Sequence, residues 1–461
     1  MSEELRSKIA EIDRKVLELV AERMHIAEKV GVQKRKKGVE VVDPEVEAAV
    51  VSKAEALGDS LGLDRSFTDR LIALLIEEAV RVQEPSVRRR SHSDFSLFAE
   101  TVGREGRTEK VIRFDRDEAG LPLLEPAGKV LRDAVANSFL TGHPSAGGPE
   151  ALRETVCDWL NERYGLDLEA KQVLVTLGGK FAAFAAILAL VSQGGRAIIL
   201  SPSSPVYGST VRLVGGREYT LHTSLEEQWD LDMGKLGQLL RVHPELMVVS
   251  IPNNPTGKVY SEKVLREMVT MAEEAKTCVL ADETYSAYAR GSSASLLQVA
   301  ESSFVSVNTF PTGLAGCGVG YAVSDEETVE KMEKIMQSVI NPGFAQETVV
   351  KALTGGQSFY REYETEMHMR VALASQALDH LPVKFYRADE GMYLFPKVEL
   401  KAFDSEVFAR RLLKEERVAV SPGQAFGEYP EHFRISLGAS KEEISKGIMR
   451  IGRALERWAR E

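Results

Sequence analysis

Residues 246–260 read LMVVSIPNNPTGKVY, an apolar run that ends in prolines, asparagines and a glycine. Such a continuous apolar run is typical of a strand buried on both faces of a mainly parallel sheet. Similar runs occur at Val173–Thr176, Ala197–Leu200 and Val279–Ala281. Helical segments separate these runs, so the sequence predicts an α/β domain built from βαβ units.

The N-terminal part has a different pattern. Residues 1–84 show helical periodicity and almost no strand signal, whereas strands and helices alternate only later in the chain. The polar stretch between the two parts contains Pro85 and the basic run Arg88–Arg90 without an apolar period, as expected of a linker. We predict an all-α domain over residues 1–86, a linker over 87–99 and an α/β domain over 100–461, with a large part at about 140–345 and a small part made of 100–139 and 346–461.

Charge and composition limit the classes of partner. The 461 residues carry a formal net charge of −11 at pH 7, so we expect no nucleic acid as a bulk partner and interpret Arg88–Arg90 as a solvated linker face. The three cysteines and eight histidines show neither disulfide nor metal-ligand spacing, which predicts no metal site and a reducing, cytoplasmic location. The sequence shows no signal segment and no bilayer-spanning run, so no membrane partner is expected.

An arginine interrupts the apolar stripe of the first predicted helix. Apolar residues recur at spacings of three and four from Leu5 to Val30, and Arg23 occupies one position of that series. A guanidinium buried there requires a protein carboxylate or an anionic ligand, unless it extends to the surface. Lys34 lies about three turns later on nearly the same face. Arg6 lies roughly 25 Å before Arg23 on a straight helix, so it reaches the same small ligand only from a second subunit.

Polar residues also occur at the ends of the next two predicted helices. Asp43 and Pro44 suit the N-cap and the first position of a second helix, and Glu47 follows on its first turn. The apolar stripe of the third helix ends in Gln83, where an apolar side chain is expected. Three helices of this kind do not close a large core alone, so the long first helix indicates an intertwined dimer.

These positions coincide with those of a known family. The segment from Leu5 to Gln83, with AERMHIAEKVGVQK, VVDPEVE and LIALLIEEAVRVQ, resembles the helical class of chorismate mutases over essentially the whole domain. The resemblance implies conversion of chorismate to prephenate, in which the protein holds a dicarboxylate in its reactive conformation and stabilises charge on the ether oxygen, without a cofactor. The catalytic residues that it implies are Arg6 of a second subunit and Arg23 at the carboxylates, Lys34 and Gln83 at the ether oxygen, and Asp43 and Glu47 at the hydroxyl side.

Two positions depart from the family pattern. Val46 stands where members commonly have an arginine, and Ala79 stands where some have a serine. Loss of one charge-assisted contact costs about 1.5–3 kcal/mol, which weakens turnover tenfold or more without abolishing it. We therefore expect a weakened but competent mutase, the alternative being a dimerisation or ligand-sensing module.

Six motifs in the second part resemble fold-type I aminotransferases, in family order. They are GHPSAGGPEALRE, VLVTLGGKFAAF, IPNNPTGKV, ADETYSAY, GLAGCGVGYAV and FRISLGAS. The resemblance implies a pyridoxal phosphate site that opens at a helix N-terminus, with a clamp for a substrate carboxylate. The residues that it implies are Asp282 at the pyridine nitrogen, Asn254 and Tyr285 at the ring oxygen, Gly179 and Lys180 at the phosphate, and Arg434 at the carboxylate. The fold predicted for the whole chain is thus an all-α chorismate mutase-like domain followed by an α/β fold-type I aminotransferase-like domain.

The lysine that such enzymes use for the internal Schiff base is absent. The family places it three residues before the glycine of GLAG, and that residue is Phe310; residues 301–330 contain no lysine at the neighbouring positions either. The arginine expected at the phosphate is Gly318, and only small residues occupy 201–205, where a stacking aromatic residue is usual. We predict a domain that does not transaminate and that holds pyridoxal phosphate, if at all, without a covalent bond. The alternative is that Lys180, or a bound amine, substitutes for the missing lysine, but the place of Lys180 at the phosphate turn disfavours it.

Three functional hypotheses follow. The first is a chorismate mutase whose aminotransferase-like domain is a scaffold or a sensor, with the pocket at Arg434 taking an anion such as an aromatic amino acid or prephenate. The second is a pyridoxal-phosphate aminotransferase of prephenate or aromatic keto acids, and the third is a non-catalytic binding or regulatory protein. Chorismate is the expected substrate, and a homodimer or higher homo-oligomer is expected because both families dimerise.

Overall fold

The computed structural model describes residues 3–37, 44–83, 111–116, 145–288, 294–310, 317–339, 345–346, 349–350, 353, 358–388 and 391–460. The chain divides into two compact units, one that holds the N-terminal helices and one that holds the α/β part. The predicted linker, residues 87–99, lies outside the described residues, so the domain boundaries stay predictions.

In its described residues, 3–37 and 44–83, the first unit contains three helices, α1 (Glu3–Lys37), α2 (Pro44–Ser60) and α3 (Arg65–Gln83). Helices α1 and α3 run in the same direction where they meet. Arg23 of α1 contacts Leu75 of α3, and eight residues later in each helix Gly31 contacts Gln83. Equal spacing along both helices means that one face of α1 follows one face of α3.

The apolar stripe of α1 is not the face that packs inside this unit. Seven of its side chains, from Leu5 to Val30, are between 41 and 66 % exposed. The helix instead approaches α3 through the small residues Ala27, which is buried, and Gly31. Small side chains let two helix backbones come close, and the larger apolar residues are left on the outer side of the single chain.

The second unit begins with an α/β succession. Its elements are β1 (Ile112–Arg113), α4 (Glu150–Tyr164), β2 (Val173–Thr176), α5 (Gly178–Leu190), β3 (Arg196–Ser201), α6 (Pro205–Leu213), β4 (Arg217–His222), α7 (Met233–Leu240), β5 (Leu246–Ser250), α8 (Glu262–Glu274), β6 (Cys278–Asp282), β7 (Phe304–Thr309), β8 (Gly320–Ser324) and α9 (Glu326–Met336). The four apolar runs of the sequence all form strands of this part.

Among the residues that the structure describes, the central sheet has seven strands in the order β2-β8-β7-β6-β5-β3-β4. The strands from β7 to β4 pair in parallel, whereas β8 is antiparallel to both of its neighbours. Helix α5 packs in the core beside the sheet with a face of four buried alanines and Ile187. The mainly parallel sheet predicted from the continuous apolar runs is therefore confirmed.

The rest of the second unit consists of longer helices and short strands. These elements are α10 (Ser358–Leu378), β9 (Val383–Lys384), β10 (Tyr393–Leu394), β11 (Lys397–Val398), α11 (Ser405–Glu416), β12 (Val418–Ala419), β13 (Ser421–Pro422), β14 (Phe433–Ser436) and α12 (Lys441–Trp458). Strand β14 pairs with β10 and β13, and β1 pairs with β12 although about 300 residues separate them. The three-stranded sheet carries Arg434 on its middle strand.

The parallel strands of the central sheet end at one edge, and the sequence motifs follow those ends. Asp282 closes β6 opposite Ser250, the last residue of β5, and Phe310 directly follows β7. Asn254 lies in the turn after β5. Open α/β folds hold their ligands at this carboxyl edge of the sheet, so we expect a ligand site here.

Candidate functional site

Arg23 is held against the third helix of the first unit. Its Nη1 atom donates a hydrogen bond to the backbone carbonyl of Leu75, and the side chain is half-buried. Burial lowers the pKa of the guanidinium, because the charged form loses water on entering the helix interface. The guanidinium of Arg23 is thus partly desolvated where α1 meets α3, although the apolar stripe to which it belongs is exposed in this unit.

Gln83, the last residue of α3, lies against α1 at Gly31. A methyl group added at Gly31 would lie 2.7 Å from the Cα and Cβ atoms of Gln83, so the two helices touch at this point. Lys34, half-buried, follows Gly31 by three residues and lies on a similar side of α1. Gln83 is 9 % exposed and Glu47 is 7 % exposed, so both polar side chains are buried in the unit.

The remaining mutase positions are less enclosed or lie elsewhere. Arg6 is exposed and belongs to the same continuous helix as Arg23, so the single chain does not bring the two arginines together. Val46 is 55 % exposed, whereas Ala79 is buried between the helices. Asp43 lies outside the described residues.

In the second unit, the carboxylate of Asp282 is fixed by two neutral donors. The hydroxyl of Tyr207 donates to Oδ2 at 2.5 Å, and the backbone N–H of Thr284 donates to Oδ1 at 3.0 Å. The pKa of Tyr207 is raised well above its usual value, first by burial and then by the neighbouring Asp282 charge. Tyr207 therefore remains a proton donor, and Asp282 is oriented by bonds that do not neutralise it.

Two tyrosines contact each other beyond the end of β6. Tyr285 follows Asp282 by three residues, and its hydroxyl lies 2.7 Å from the hydroxyl of Tyr393 on β10. The two rings meet edge to face with their centroids 4.9 Å apart. The Tyr393 ring in turn lies under the guanidinium of Arg434, whose Cζ is 4.5 Å from the ring centroid.

Arg434 is 3 % exposed and is held between aromatic rings. Phe426 lies 4.9 Å from its Cζ, in addition to Tyr393. Nη1 donates to Oδ1 of Asn254 at 2.8 Å, and Nη2 donates to the backbone carbonyl of Asp115 at 3.1 Å. Cation–π contact and defined acceptors fix the direction of the guanidinium, which suits it to two-pronged carboxylate binding.

The turn before α5 has the form of an anion cradle. Gly178 has φ +72°, and the N-cap residue Leu177 makes no side-chain hydrogen bond to the start of the helix. Gly320 packs so closely that an added methyl group would lie 2.4 Å from the carbonyl carbon of Gly178, and one at Gly179 would lie 2.6 Å from Oγ1 of Thr284. Lys180 is exposed on the first turn of α5. The backbone amides here suit a phosphate or another anion.

The position that follows β7 is filled by an aromatic side chain. Phe310 is 1 % exposed, and its ring centroid lies 5.2 Å from that of Tyr321. Tyr321 contacts Trp159 edge to face at 6.3 Å. Gly318 is exposed with φ +64°, a backbone conformation that side chains other than glycine rarely adopt. Position 310 is therefore part of a packed aromatic group, and position 318 has a backbone conformation that suits glycine.

Several residues of this site are not recognisable from the sequence motifs. Tyr207 lies just beyond the small residues 201–205, and its contact to Asp282 spans 75 positions. Tyr393 and Phe426 contact Arg434 from other strands and loops. The only sequence signal for Tyr207 is Pro205, which starts α6 and places the tyrosine on its first turn.

The comparisons with known proteins agree with this geometry. The family model for aminotransferase class I and II matches residues 113–451. The chain belongs to the class I and II aminotransferase family. The model for chorismate mutase type II matches residues 5–84, so this aminotransferase family member carries a chorismate mutase domain at its N-terminal side. The fusion predicted from the motifs is confirmed.

Similar proteins include curated and solved aminotransferases. The aspartate aminotransferase of Thermotoga maritima is 31 % identical over 74 % of this chain and 91 % of its own, and the aspartate/prephenate aminotransferase of Thermus thermophilus is 31 % identical over 72 % and 88 %. The crystal structure of aspartate aminotransferase from Thermotoga maritima matches with a TM-score of 0.71 at 28 % identity, covering 79 % of this chain and 96 % of that one. The structure of the Thermus thermophilus aspartate aminotransferase with maleate matches with a TM-score of 0.73 at 26 % identity, covering 79 % and 97 %. These matches confirm the predicted α/β fold.

Two further findings concern the described part of this aminotransferase family member. No helix there is long and apolar enough to cross a bilayer. The same residues contain no group of three or more histidine, cysteine, aspartate or glutamate side chains arranged to hold a metal ion.

Proposed function

We propose that the chain is a chorismate mutase whose aminotransferase domain is non-catalytic and acts as a scaffold or ligand sensor. The mutase assignment rests on the chorismate mutase type II match over residues 5–84, supported by the half-buried, desolvated guanidinium of Arg23. The non-catalytic assignment rests on Phe310, which is buried where the family places its lysine.

In this proposal the first unit acts by holding and polarising chorismate. Arg23, already fixed by the Leu75 carbonyl, binds a carboxylate with its remaining N–H groups. Lys34 and Gln83 donate to the ether oxygen, where negative charge grows as the bond breaks. Glu47 and Asp43 hold the hydroxyl side, and the enclosed helix face selects the compact conformation that rearranges.

Arg6 completes the site only if a second copy supplies it. The exposed apolar stripe of α1, from Leu5 to Val30, needs a partner to cover it, and Arg6 lies at the start of the same helix. An α1 from a second subunit that covers this stripe brings its Arg6 toward the first subunit's Arg23. The proposed assembly is a homodimer or a higher homo-oligomer.

Mixing two inactive variants tests the shared site. Arg6→Ala and Arg23→Ala each damage every site in their own homodimer, whereas a mixed dimer contains one intact site and one site with both defects. Random pairing makes half of the dimers mixed, and one of the two sites in each mixed dimer is intact. We therefore expect the co-refolded variants to regain up to about a quarter of native turnover. No regain, in a sample shown to contain mixed dimers, contradicts the contribution of the partner.

Chorismate consumption by the full-length protein, with prephenate as product, is the primary test. Arg23→Ala and Arg23→Lys serve as the loss-of-function variants, the latter retaining charge and packing, and Lys29→Ala on the exposed side of α1 is the matched control. We expect turnover in the native and Lys29→Ala proteins and a fall of more than tenfold in both Arg23 variants. No turnover in the native protein leaves the non-catalytic binding or regulatory protein as the better assignment.

The residues of the second unit do not fit a covalently held pyridoxal phosphate. Phenylalanine has no amine for a Schiff base, and the Phe310 side chain packs on Tyr321 instead of reaching toward Asp282. Gly318 supplies no cation to a phosphate, and Ser203 and Ser204 supply no stacking ring. Asp282, Asn254 and Tyr285 are retained, but each is bonded to a protein neighbour.

Borohydride reduction in the presence of pyridoxal phosphate tests this assignment. A Schiff base with any lysine is fixed by reduction and appears as an added mass on that residue's peptide. We expect no adduct above the level of exposed lysines such as Lys29, and no transfer of an amino group from aspartate or glutamate to prephenate. A site-specific adduct together with amino transfer overturns the non-catalytic assignment.

The second candidate function is a pyridoxal-phosphate aminotransferase of prephenate or aromatic keto acids. The 31 % identity to the aspartate/prephenate aminotransferase of Thermus thermophilus favours it, as does the mutase domain, whose product is prephenate. If this function is right, we expect the pyridoxal phosphate adduct on Lys180, which lies on the first turn of α5 at the anion cradle. Lys180→Ala should then abolish both the adduct and amino transfer.

As a ligand sensor, the second unit would recognise a carboxylate through Arg434. The guanidinium is directed by Asn254, Tyr393 and Phe426 rather than left mobile. Calorimetry of the full-length protein with phenylalanine, tyrosine, prephenate and pyridoxal phosphate tests this role. Binding that is lost in Arg434→Gln supports the sensor role. If none of the four compounds binds, the scaffold role is the one that remains.

A further inference from the structure

The row of contacts between α1 and α3 that includes Arg23 continues with two alanines. Arg23 contacts Leu75, 52 positions later in the chain. Four residues further along each helix, the same separation relates Ala27 to Ala79, and both alanines are 8 % exposed. Side chains four positions apart lie on one face of a helix. Ala79 is therefore buried one turn beyond Leu75, on the face of α3 that meets Arg23.

The carbonyl of Leu75 accepts two hydrogen bonds. It lies inside α3, so the helical pattern gives it the amide of Ala79, and Nη1 of Arg23 is its second donor. A carbonyl oxygen has two lone pairs, so these two donors use its whole capacity. In the part of the first unit that the structure describes, no carboxylate pairs with Arg23. The Leu75 carbonyl thus orients the guanidinium while its charge stays available to a ligand.

The side chain at position 79 decides whether the second lone pair is free for Arg23. Serine and threonine inside a helix can donate their hydroxyl to the carbonyl four residues earlier, which here is that of Leu75. Alanine has no side-chain donor, so Ala79 leaves this carbonyl to the guanidinium. Because some helical chorismate mutases have a serine here, alanine removes a competitor for the Leu75 carbonyl as well as a polar group.

We propose that Ala79 is a positioning residue of the mutase site, which keeps the Leu75 carbonyl available to orient Arg23 toward a substrate carboxylate. The proposal deepens the mutase function and rests on it. The substrate carboxylate keeps its charge through the rearrangement, so its contact with Arg23 is equally strong in the ground state and in the transition state. Loss of this orientation therefore removes uniform binding, which raises KM and leaves kcat nearly unchanged.

Addition of one hydroxyl group tests the proposal. Ala79→Ser should raise KM for chorismate about tenfold with less than about a twofold change in kcat, because the new hydroxyl takes the lone pair that held Arg23. A change in helix spacing alone acts differently, since it displaces Gln83 and lowers kcat. Ala79→Cys adds a side chain of similar size with a weak donor, so it should raise KM less than Ala79→Ser does.

Two results of this experiment overturn the proposal. A higher kcat/KM in Ala79→Ser means that a serine contacts the substrate directly and that the alanine is simply a lost contact. A fall in kcat at the native KM means that position 79 acts through the spacing of the helices. Circular dichroism of each variant checks that the helices are intact.

Ala73→Ser is the matched control. Ala73 is 5 % exposed in the same helix, and a serine there donates to the carbonyl of Asp69 and not to that of Leu75. Its KM and kcat should equal those of the native protein. Calorimetry of the full-length protein with prephenate gives a readout without turnover, and the Kd should rise about tenfold in Ala79→Ser and stay unchanged in Ala73→Ser. Equal weakening in both variants contradicts a specific role of position 79.

Unfolding measurements distinguish failure here from failure of the proposed function. Arg23→Ala should lower the free energy of unfolding less in the Ala79→Ser background than in the native one, because the bond to Leu75 is already lost. Urea denaturation of the full-length variants at one protein concentration measures this coupling whether or not chorismate is consumed. Coupling without turnover means that the mutase function is wrong and that the competition for Leu75 is real. Strictly additive losses in a protein that consumes chorismate overturn the positioning role of Ala79.

Discussion

The ring of Phe310 packs on the ring of Tyr321, with centroids 5.2 Å apart and planes inclined by 46°. Tyr321 also contacts Trp159, so Phe310 ends a row of three aromatic residues beside the sheet. Aromatic pairs of this kind contribute beyond the area that they bury. The Phe310 side chain thus belongs to the core of the second unit.

Truncation of Phe310 should destabilise the protein. Phe310→Ala removes a fully buried ring and leaves a cavity against Tyr321, so the free energy of unfolding should fall by about 3–5 kcal/mol, and Phe310→Leu should cost less. Urea denaturation followed by circular dichroism measures the change. A loss below about 1 kcal/mol in the free energy of unfolding of the alanine variant is close to the effect of a surface substitution, and it would contradict a packing role.

The Tyr207–Asp282 hydrogen bond predicts a measurable coupling. Tyr207→Phe should lower the free energy of unfolding by about 1.5–3 kcal/mol because Asp282 loses a donor, and Asp282→Asn should have a similar effect because the buried hydroxyl loses its charged acceptor. In the double variant the two losses should not add, since both remove one interaction. Strictly additive losses in this double-mutant cycle would show that the two groups do not stabilise one another.

Sequence patterns were sufficient for the fold and for part of the site. Continuous apolar runs mark the strands of the sheet, and the glycines of the turn before α5 mark its left-handed backbone at Gly178. Contacts between distant positions were not recognisable in the same way. Tyr285 and Tyr393 are 108 positions apart, and nothing local in either segment encodes that their hydroxyls meet. The position of Ala27 and Gly31 against α3 was also missed, because the larger apolar residues of α1 dominate its periodicity although they lie on the exposed side.

His432 should make the stability of the second unit depend on pH. The ring is 6 % exposed and stacks on Phe395, and burial, with a smaller effect of Lys397, lowers its pKa from 6.5 to about 4. Glu226, which pairs with Lys397, acts in the opposite direction. Because the unfolded chain binds the proton more readily, stability should fall as pH decreases from 6.5 toward 4, by up to about 3 kcal/mol.

The matched variant isolates this contribution from the titrating carboxylates. His432→Phe keeps an aromatic ring in the cluster and removes the titration. The difference between native and variant unfolding free energies, measured by urea denaturation at several pH values, should therefore change in that pH range and stay constant above it. A difference that does not vary with pH means that His432 is not the group responsible.

Val46 offers a gain-of-function test of the first unit. The side chain is 55 % exposed next to the buried Glu47, so a longer residue fits without disturbing the core. Val46→Arg should raise kcat/KM for chorismate about tenfold or more by adding one charge-assisted contact to a carboxylate. Val46→Leu is the control for size without charge. If both variants behave as the native protein does, the missing arginine is not what limits turnover.

The contact of Gly31 with Gln83 allows a test of whether Gln83 takes part in the chemistry or only in helix packing. Gly31→Ala places a carbon 2.7 Å from the Cα and Cβ atoms of Gln83, so α1 and α3 must move apart by a fraction of an ångström. Because Gln83 is proposed to donate to the ether oxygen, such a shift should lower kcat more than it raises KM, by about tenfold or more, since positioning errors of this size are costly. Gln83→Ala should lower kcat in the same way, and the double variant should be little worse than either alone.

Lys29→Ala, on the exposed side of the same helix, should leave kcat unchanged. A Gly31→Ala protein that unfolds more easily yet keeps its native kcat would mean that Gln83 supports the helix interface and takes no part in the rearrangement.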